Sequence, residues 1–200
     1  TDNSYDICND LVRNDERFIL NKNLTNLGPL GNAYEAATTH NPSHDKNDII
    51  VILDGDDFLY SKKTLSILNE HYNNFDCWMS DKKVGKFSTP VNPLVIKDNL
   101  YRDTGWCTSH LRSYKLGLLQ KINKNDIMDD NGHYFKAAGD LALMFPLLEM
   151  SRERAHFVKD VLYIWNDLNE LNEHKDKREL QVECERHIRS MTKYDRVKDL

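Results

Sequence analysis

Residues 49–57, IIVILDGDD, constrain the chain more than any other stretch. Five apolar residues, Ile49 to Leu53, run without alternation into three carboxylates, Asp54, Asp56 and Asp57. An unbroken apolar run of this length reads as a strand covered on both faces. Three acids at the end of such a strand repel one another and lose hydration, a cost that calls for a neutralising partner. Hard carboxylate oxygens suit Mg²⁺ or Mn²⁺, so a divalent cation is the economical partner. The alternative is an acidic turn that caps the following helix. Two other acidic motifs fail on position. An EF-hand loop from Asp54 would need Gly and Glu where Leu59 and Leu65 stand. A phosphatase with an aspartate nucleophile would need Gly-Ser or Gly-Thr where Asp57 and Phe58 stand.

The rest of the chain is organised around that strand. Helices are expected in TDNSYDICNDLVRND (Thr1 to Ser4 as cap material, with Ile7, Leu11 and Val12 spaced helically), from about Leu30 in NLGPLGNAYEAATTH, and in SKKTLSILNEHYNN. SHLRSYKLGLLQKI also reads as a helix, with Leu111, Tyr114 and Leu118 on one face. YFKAAGDLALMFPLLEMS is the most apolar helix, and Pro146 is expected to kink or break it. RFILNKN, DCWMS and AHFVKDVLYIWND read as strands, and residues 81–103 as an extended segment or long loop. Strands alternating with helices imply an α/β domain with a mainly parallel sheet. Residues 1–200 form one such domain, and residues 170–200 a peripheral, charged helical tail.

Composition limits the function. The 200 residues are 40% hydrophobic and 30% charged, with a net charge of −5 and both signs interspersed. Nucleic-acid binding, which needs a basic face, is not expected. No apolar run has the length of a membrane span, and no signal peptide opens the chain. Cys8, Cys77, Cys107 and Cys184 are widely spaced, which argues against structural zinc and for free buried thiols in a reducing, cytoplasmic setting.

In open α/β sheets ligands sit at the carboxyl ends of strands, where the acids lie. The DGDD segment resembles the D-x-D motif of GT-A glycosyltransferases, especially the family 2 group. TDNSYD, NLGPLGNAYEAA, GWCTSHLRSYKLGLLQKI, KAAGDLALMFPLLEM and VLYIWNDLNELNEHK are similar to further segments of that family, in the same order. The resemblance covers nearly the whole chain. It implies a GT-A-like nucleotide-diphospho-sugar transferase fold, and that the family's first strand, helix and second strand, with their P-x-[YF]-N motif, are missing ahead of Thr1.

It also implies roles. A sugar would pass from a nucleotide diphosphate, with a UDP-sugar favoured, to a hydroxyl on a glycan, lipid or protein, with a divalent cation (Mn²⁺ or Mg²⁺) as cofactor. Asp56 would ligate the metal directly, Asp54 would contact ribose or metal, and Asp57 and Asn32 would support donor binding. Asp140, an acid in the apolar AAGDLALMF, would be the general base of an inverting reaction; otherwise it caps the helix, with Gly139 as the turn before it. His110 and Arg112 would bind diphosphate or acceptor, or else belong to a solvated helix start capped by Thr108 or Ser109. Trp106 is a sugar platform or a core aromatic. His174 is a candidate metal ligand within a solvated charge run. The competing functions are an inactive sugar-nucleotide or glycan-binding module of the same fold, and a nucleotidyltransferase, which the absence of a Gly-rich phosphate loop disfavours.

Overall fold

A computed structural model describes residues 3–75, 77–83, 90–106, 110–166 and 178–198. Five strands form one sheet: β1 (Ile49–Ile52), β2 (Phe58–Leu59), β3 (Cys77–Lys83), β4 (Arg112–Lys115) and β5 (Ala155–Ile164), in the order β1-β4-β3-β5-β2. Seven α-helices accompany them among the described residues: α1 (Ser4–Val12), α2 (Gly28–Thr38), α3 (Thr64–His71), α4 (Pro93–Asp98), α5 (Leu116–Leu119), α6 (Gly139–Ser151) and α7 (Arg178–Ser190).

The unbroken apolar run of β1 has the expected reason. Ile50 and Ile52 pack on the larger core, with α6, and Ile49 and Val51 on the smaller one, with Leu68, Tyr72 and Leu162. Successive side chains therefore serve opposite faces, and both faces are apolar. α6 explains its own sequence in the same way: every residue from Leu141 to Ser151 is buried. It runs on through Pro146, where a kink or break was expected, so the helix is not broken there; packing on all sides holds it despite the missing backbone donor.

Several other expectations are corrected. The sheet is mixed, not mainly parallel: of the four pairings among described residues only β3–β5 is parallel, while β1–β4, β3–β4 and β2–β5 are antiparallel. The cause is residues 109–122, which read as a helix. They contain instead β4, an interior strand of the sheet, followed by the short α5. Leu111, Arg112, Ser113 and Tyr114 are all buried, so β4 lacks the alternation that would have revealed it. Residues 17–23 form no strand. Residues 93–98, read as irregular, form α4, with Asn92 capping its Leu94 N–H. In α1 no residue is buried, and Ile7 and Leu11 are exposed. In α3, Leu68 is buried but Leu65 is exposed. The charged tail does form a helix, α7, from Arg178; residues 167–177 lie outside the described residues, as do Thr1, Asp2 and Cys107. Cys184 is a buried free thiol as expected, whereas Cys8 is exposed. No helix among the described residues is long and apolar enough to cross a membrane.

Two polar clusters hold the helices in place. Glu149, fully buried in α6, takes a bidentate fork from Arg102, Nε to Oε1 at 2.6 Å and Nη2 to Oε2 at 3.0 Å. Arg102 also donates to the Ile188 carbonyl of α7 at 2.6 Å, and the Tyr194 N–H donates to Glu149 at 2.9 Å. On the surface, Glu35 of α2 accepts from Lys124 at 2.7 Å and from the hydroxyls of Tyr134 and Thr39. The Lys124 bond leads, followed by those from Thr39 and Tyr134, in depressing the Glu35 pKa to about 2.

Two stability measurements follow from these clusters. Arg102→Met leaves a buried carboxylate without its counter-charge and is expected to cost about 3–5 kcal/mol in urea unfolding, most of it recovered when Glu149→Met is added. The Glu35 carboxylate is more acidic folded than unfolded. Its contribution is therefore complete above its ordinary value of 4.5 and is lost as the pH falls towards about 2. Glu35→Gln should flatten the Tm–pH curve across that interval, which thermal melts from pH 2 to 6 would show.

Candidate active site

The carboxyl end of β1 opens into a cleft of about 930 Å³. Residues 54–57 form its floor, α2 contributes Asn32 and Ala33, β4 and the residues before it contribute Arg112 and His110, and Asp140 faces in from the start of α6. Seven of the residues singled out in the sequence, Asn32, Asp54, Asp56, Asp57, His110, Arg112 and Asp140, thus border one cavity. His174 lies outside the described residues, as do Thr108 and Ser109.

The acidic loop is built on Asp57. Its side chain is buried; one carboxylate oxygen accepts from the Tyr163 hydroxyl and the other from the Asn166 N–H at 2.7 Å. Its own N–H closes a turn on the Asp54 carbonyl at 3.1 Å. Tyr163 is on β5 and Asn166 two residues past it, so Asp57 anchors the loop after β1 just where Phe58 begins β2 and pairs with β5. Burial, and then the Asp57 hydrogen bond, push the Tyr163 hydroxyl far above its ordinary pKa, so it remains a donor.

Asp54 is half-buried, and burial raises its pKa; Arg112 opposes that effect, while the charges of Asp57 and Asp56 add to it. Its Oδ2 lies 3.5 Å from His110 Nδ1 and 3.7 Å from Arg112 Nη2. The His110 ring stacks on Tyr163, centroids 4.9 Å apart at 16°. Arg112 Nη2 stands 3.2 Å from His110 Nδ1. A guanidinium can only donate, so that contact suits a neutral ring with Nδ1 as acceptor, whereas the Asp54 contact suits an Nδ1 that carries a proton.

Ligand atoms of Asp54, Asp57 and His110 lie within 4.8 Å of one another, and this is the one such group of three among the described residues. Two carboxylates and an imidazole, with a desolvated carboxylate among them, are a donor set that fits a divalent cation. Asp56 borders the same cleft but stands outside that group.

Across the cleft, Asp140 Oδ2 is 3.4 Å from Arg112 Nη1. Asp140 is the second residue of α6 and not its cap; the cap position is Ala138, at φ 53°, which makes no side-chain cap bond. Its carboxylate lies at the positive end of the helix, where an anion is favoured. Gly139 beside it allows α2 to come close: a Cβ there would stand 2.8 Å from the Cβ of Leu30. Asn32 accepts from the Asn23 side chain at 2.7 Å. Trp106 is a core residue, set edge-on to Phe145 at 5.5 Å.

Sequence reasoning missed Tyr163, Trp165 and Asn166. Tyr163 and Asn166 hold Asp57, and Trp165 lines the cleft. The signal was the polar and aromatic ending of an apolar strand, YIWN, which read only as strand.

No protein-family model matches the chain, and no curated protein matches it. Among solved structures it is similar to the crystal structure of S. aureus TarS 1–349, with a TM-score of 0.56 and 20% identity over 82% of this chain. The chain spans about half of that structure, 48% of its length. At this identity the likeness is one of fold alone, an α/β architecture shared with that structure.

Because Asp54 has a raised pKa in the folded state, its ionised form costs stability at neutral pH, and the cost disappears once acid protonates it. Asp54→Asn is expected to raise the Tm at pH 7 by about 2 °C. The gap to wild type should close as the pH falls to about 4. An equal gap at both pH values would rule out the titration of Asp54 as its source.

Proposed function

We propose that this cleft transfers a glycosyl group from a nucleotide-diphosphate donor to an acceptor hydroxyl, with inversion at the sugar carbon. The reading is carried by one observation: a carboxylate-rich loop at a strand end faces a lone acid, Asp140, across a cleft in a glycosyltransferase-like fold. Asp54, Asp57 and His110 would hold the cation, with Asp56 bordering the same space. The bound cation supplies positive charge for the leaving diphosphate.

The remaining chemistry belongs to the chain. Asp140 accepts the proton of the acceptor hydroxyl as its oxygen bonds to the sugar carbon. The carbon–oxygen bond to the diphosphate breaks, and the electron pair leaves with the diphosphate. The Asp57–Tyr163–Asn166 bonds keep the loop in one geometry, so little reorganisation is needed when charge develops. Asn32 lies at the α2 wall of the cleft, and Trp165 offers an aromatic face to a ring of the donor. A UDP-sugar is the donor to try first.

Calorimetry of UDP with and without Mn²⁺ tests the metal. Mn²⁺ should strengthen UDP binding, and Asp54→Ala or Asp56→Ala should remove that gain; equal affinity in EDTA and in Mn²⁺ would defeat the metal-dependent reading. Transfer assays test the base. Asp140→Asn should slow transfer by about 10²- to 10⁴-fold while UDP and Mn²⁺ still bind. Near wild-type transfer by this variant would dismiss Asp140 as the base. Binding of UDP-sugar and Mn²⁺ by the wild type, with no transfer to any hydroxyl acceptor offered, would favour an inactive binding module.

A further inference from the structure

The Arg112 side chain is about 10% exposed, rooted on β4, and its guanidinium stands between the two acidic walls of the cleft. It is fully seated on neither. Its Nη1 is 3.4 Å from Asp140 and its Nη2 3.7 Å from Asp54, both beyond the 2.7–2.9 Å of a good charge-assisted hydrogen bond. Its Nε is buried and has no hydrogen-bond partner. Arg102 shows what a satisfied buried guanidinium looks like in the same protein: a closed fork on one carboxylate, with bonds of 2.6 and 3.0 Å. One fork is shared by two acids, with Nη2 also 3.2 Å from His110 Nδ1, and both Asp54 and His110 are in the group that could hold a metal.

We propose that Arg112 is a positioning residue that is shared between Asp54 and Asp140 and passes wholly to Asp140 when a divalent cation is held by Asp54. The inference rests on the metal-dependent reading above. A cation held by Asp54 would repel the guanidinium at close range. Asp140 is the nearer acid, and a few tenths of an ångström of movement would bring Nη1 to bonding distance. The backbone need not move, because rotation near the end of the side chain is enough. Filling the metal side of the cleft thereby fixes the direction of the carboxylate on the other side. The exchange is coupling between two sites through one shared group, and it acts equally in both directions.

A double-mutant cycle separates this exchange from a fixed charge. The probe is Mn²⁺ alone, with free Mn²⁺ followed by electron paramagnetic resonance, and a thermal melt checks each protein. The proteins are wild type, Arg112→Gln, Asp140→Asn and the double variant. Arg112→Gln should bind Mn²⁺ about tenfold more tightly, because the competitor for Asp54 is gone. Asp140→Asn should bind it about fivefold more weakly, because Arg112 then rests wholly on Asp54. In the Arg112→Gln background Asp140→Asn should change the affinity less than twofold.

A guanidinium that does not exchange predicts the same Asp140→Asn effect in both backgrounds, and that result would overturn the proposal. Weaker Mn²⁺ binding by a folded Arg112→Gln would overturn it too. If Arg112→Gln does not melt cooperatively, Arg112→Lys takes its place: an ammonium has no fork to bridge two acids, so the Asp140→Asn effect should again vanish. Mn²⁺ binding with independent mutational effects defeats the exchange and leaves the proposed function standing. No Mn²⁺ binding by the wild type, with or without UDP, defeats the metal-dependent reading and the exchange together.

Discussion

Asp57 and the end of β5 carry the constraint on which the rest of the site depends. A loop with three carboxylates after a buried strand would spread under its own repulsion. Here the innermost acid is neutralised by geometry: a hydroxyl and a backbone N–H are held against it by residues 163–166. β1 and β5 are separated in the sheet by β4 and β3, and this contact, with the β2–β5 pairing that begins at Phe58, holds the loop after β1 against the end of β5. Asp54 and Asp56 are left at the cleft, Asp54 desolvated and only partly compensated. Unfavourable charge of this kind is tolerated where a site is prepared for a ligand.

The second support lies behind the cleft. α6 presents Asp140 at its first turn and Glu149 near its last, nine positions apart and with opposite settings. Glu149 is enclosed by Arg102 and by the Tyr194 N–H, which joins α6 to the residues after α7. Asp140 is open to the cleft on one side and faces Arg112 on the other. The buried end of the helix thus anchors the end that faces solvent. The same residue pairing, arginine with a carboxylate, serves as a closed clasp at one end of the helix and as an open bridge at the other.

What could be read from the sequence depended on how each element is buried. β1 and its acids were legible because five apolar residues ending in DGDD have few structural explanations, and α6 because thirteen residues of nearly unbroken apolarity need a core on all sides. β4 was hidden for the opposite reason. Leu111 and Tyr114 are apolar while Arg112 and Ser113 are buried by partners elsewhere: the acids of the cleft for Arg112, and the Tyr72 hydroxyl, 2.9 Å away, for Ser113. A strand whose polar residues are satisfied by distant groups leaves no period-two pattern, and Leu111, Tyr114 and Leu118 then suggested a helix. Missing it turned a mixed sheet into an apparently parallel one. Tyr163 and Asn166 were invisible as site residues because their role exists only once β5 is brought beside the loop after β1.

The close approach at Gly139 has a further implication for what the cleft can accept. Leu30 on α2 and Gly139 on α6 meet with no space for a methyl group, so the two helices that border the cleft share a rigid seam. Asn32 is two residues from that seam and Asp140 one. The span between the backbones that carry those polar groups is therefore set by helix packing, and side-chain rotation can change it only within the short reach of an Asn and an Asp. A bound molecule that reaches both must match a ruler cut into the scaffold, and selectivity for its size is inherited from the helix contact before any polar group takes part.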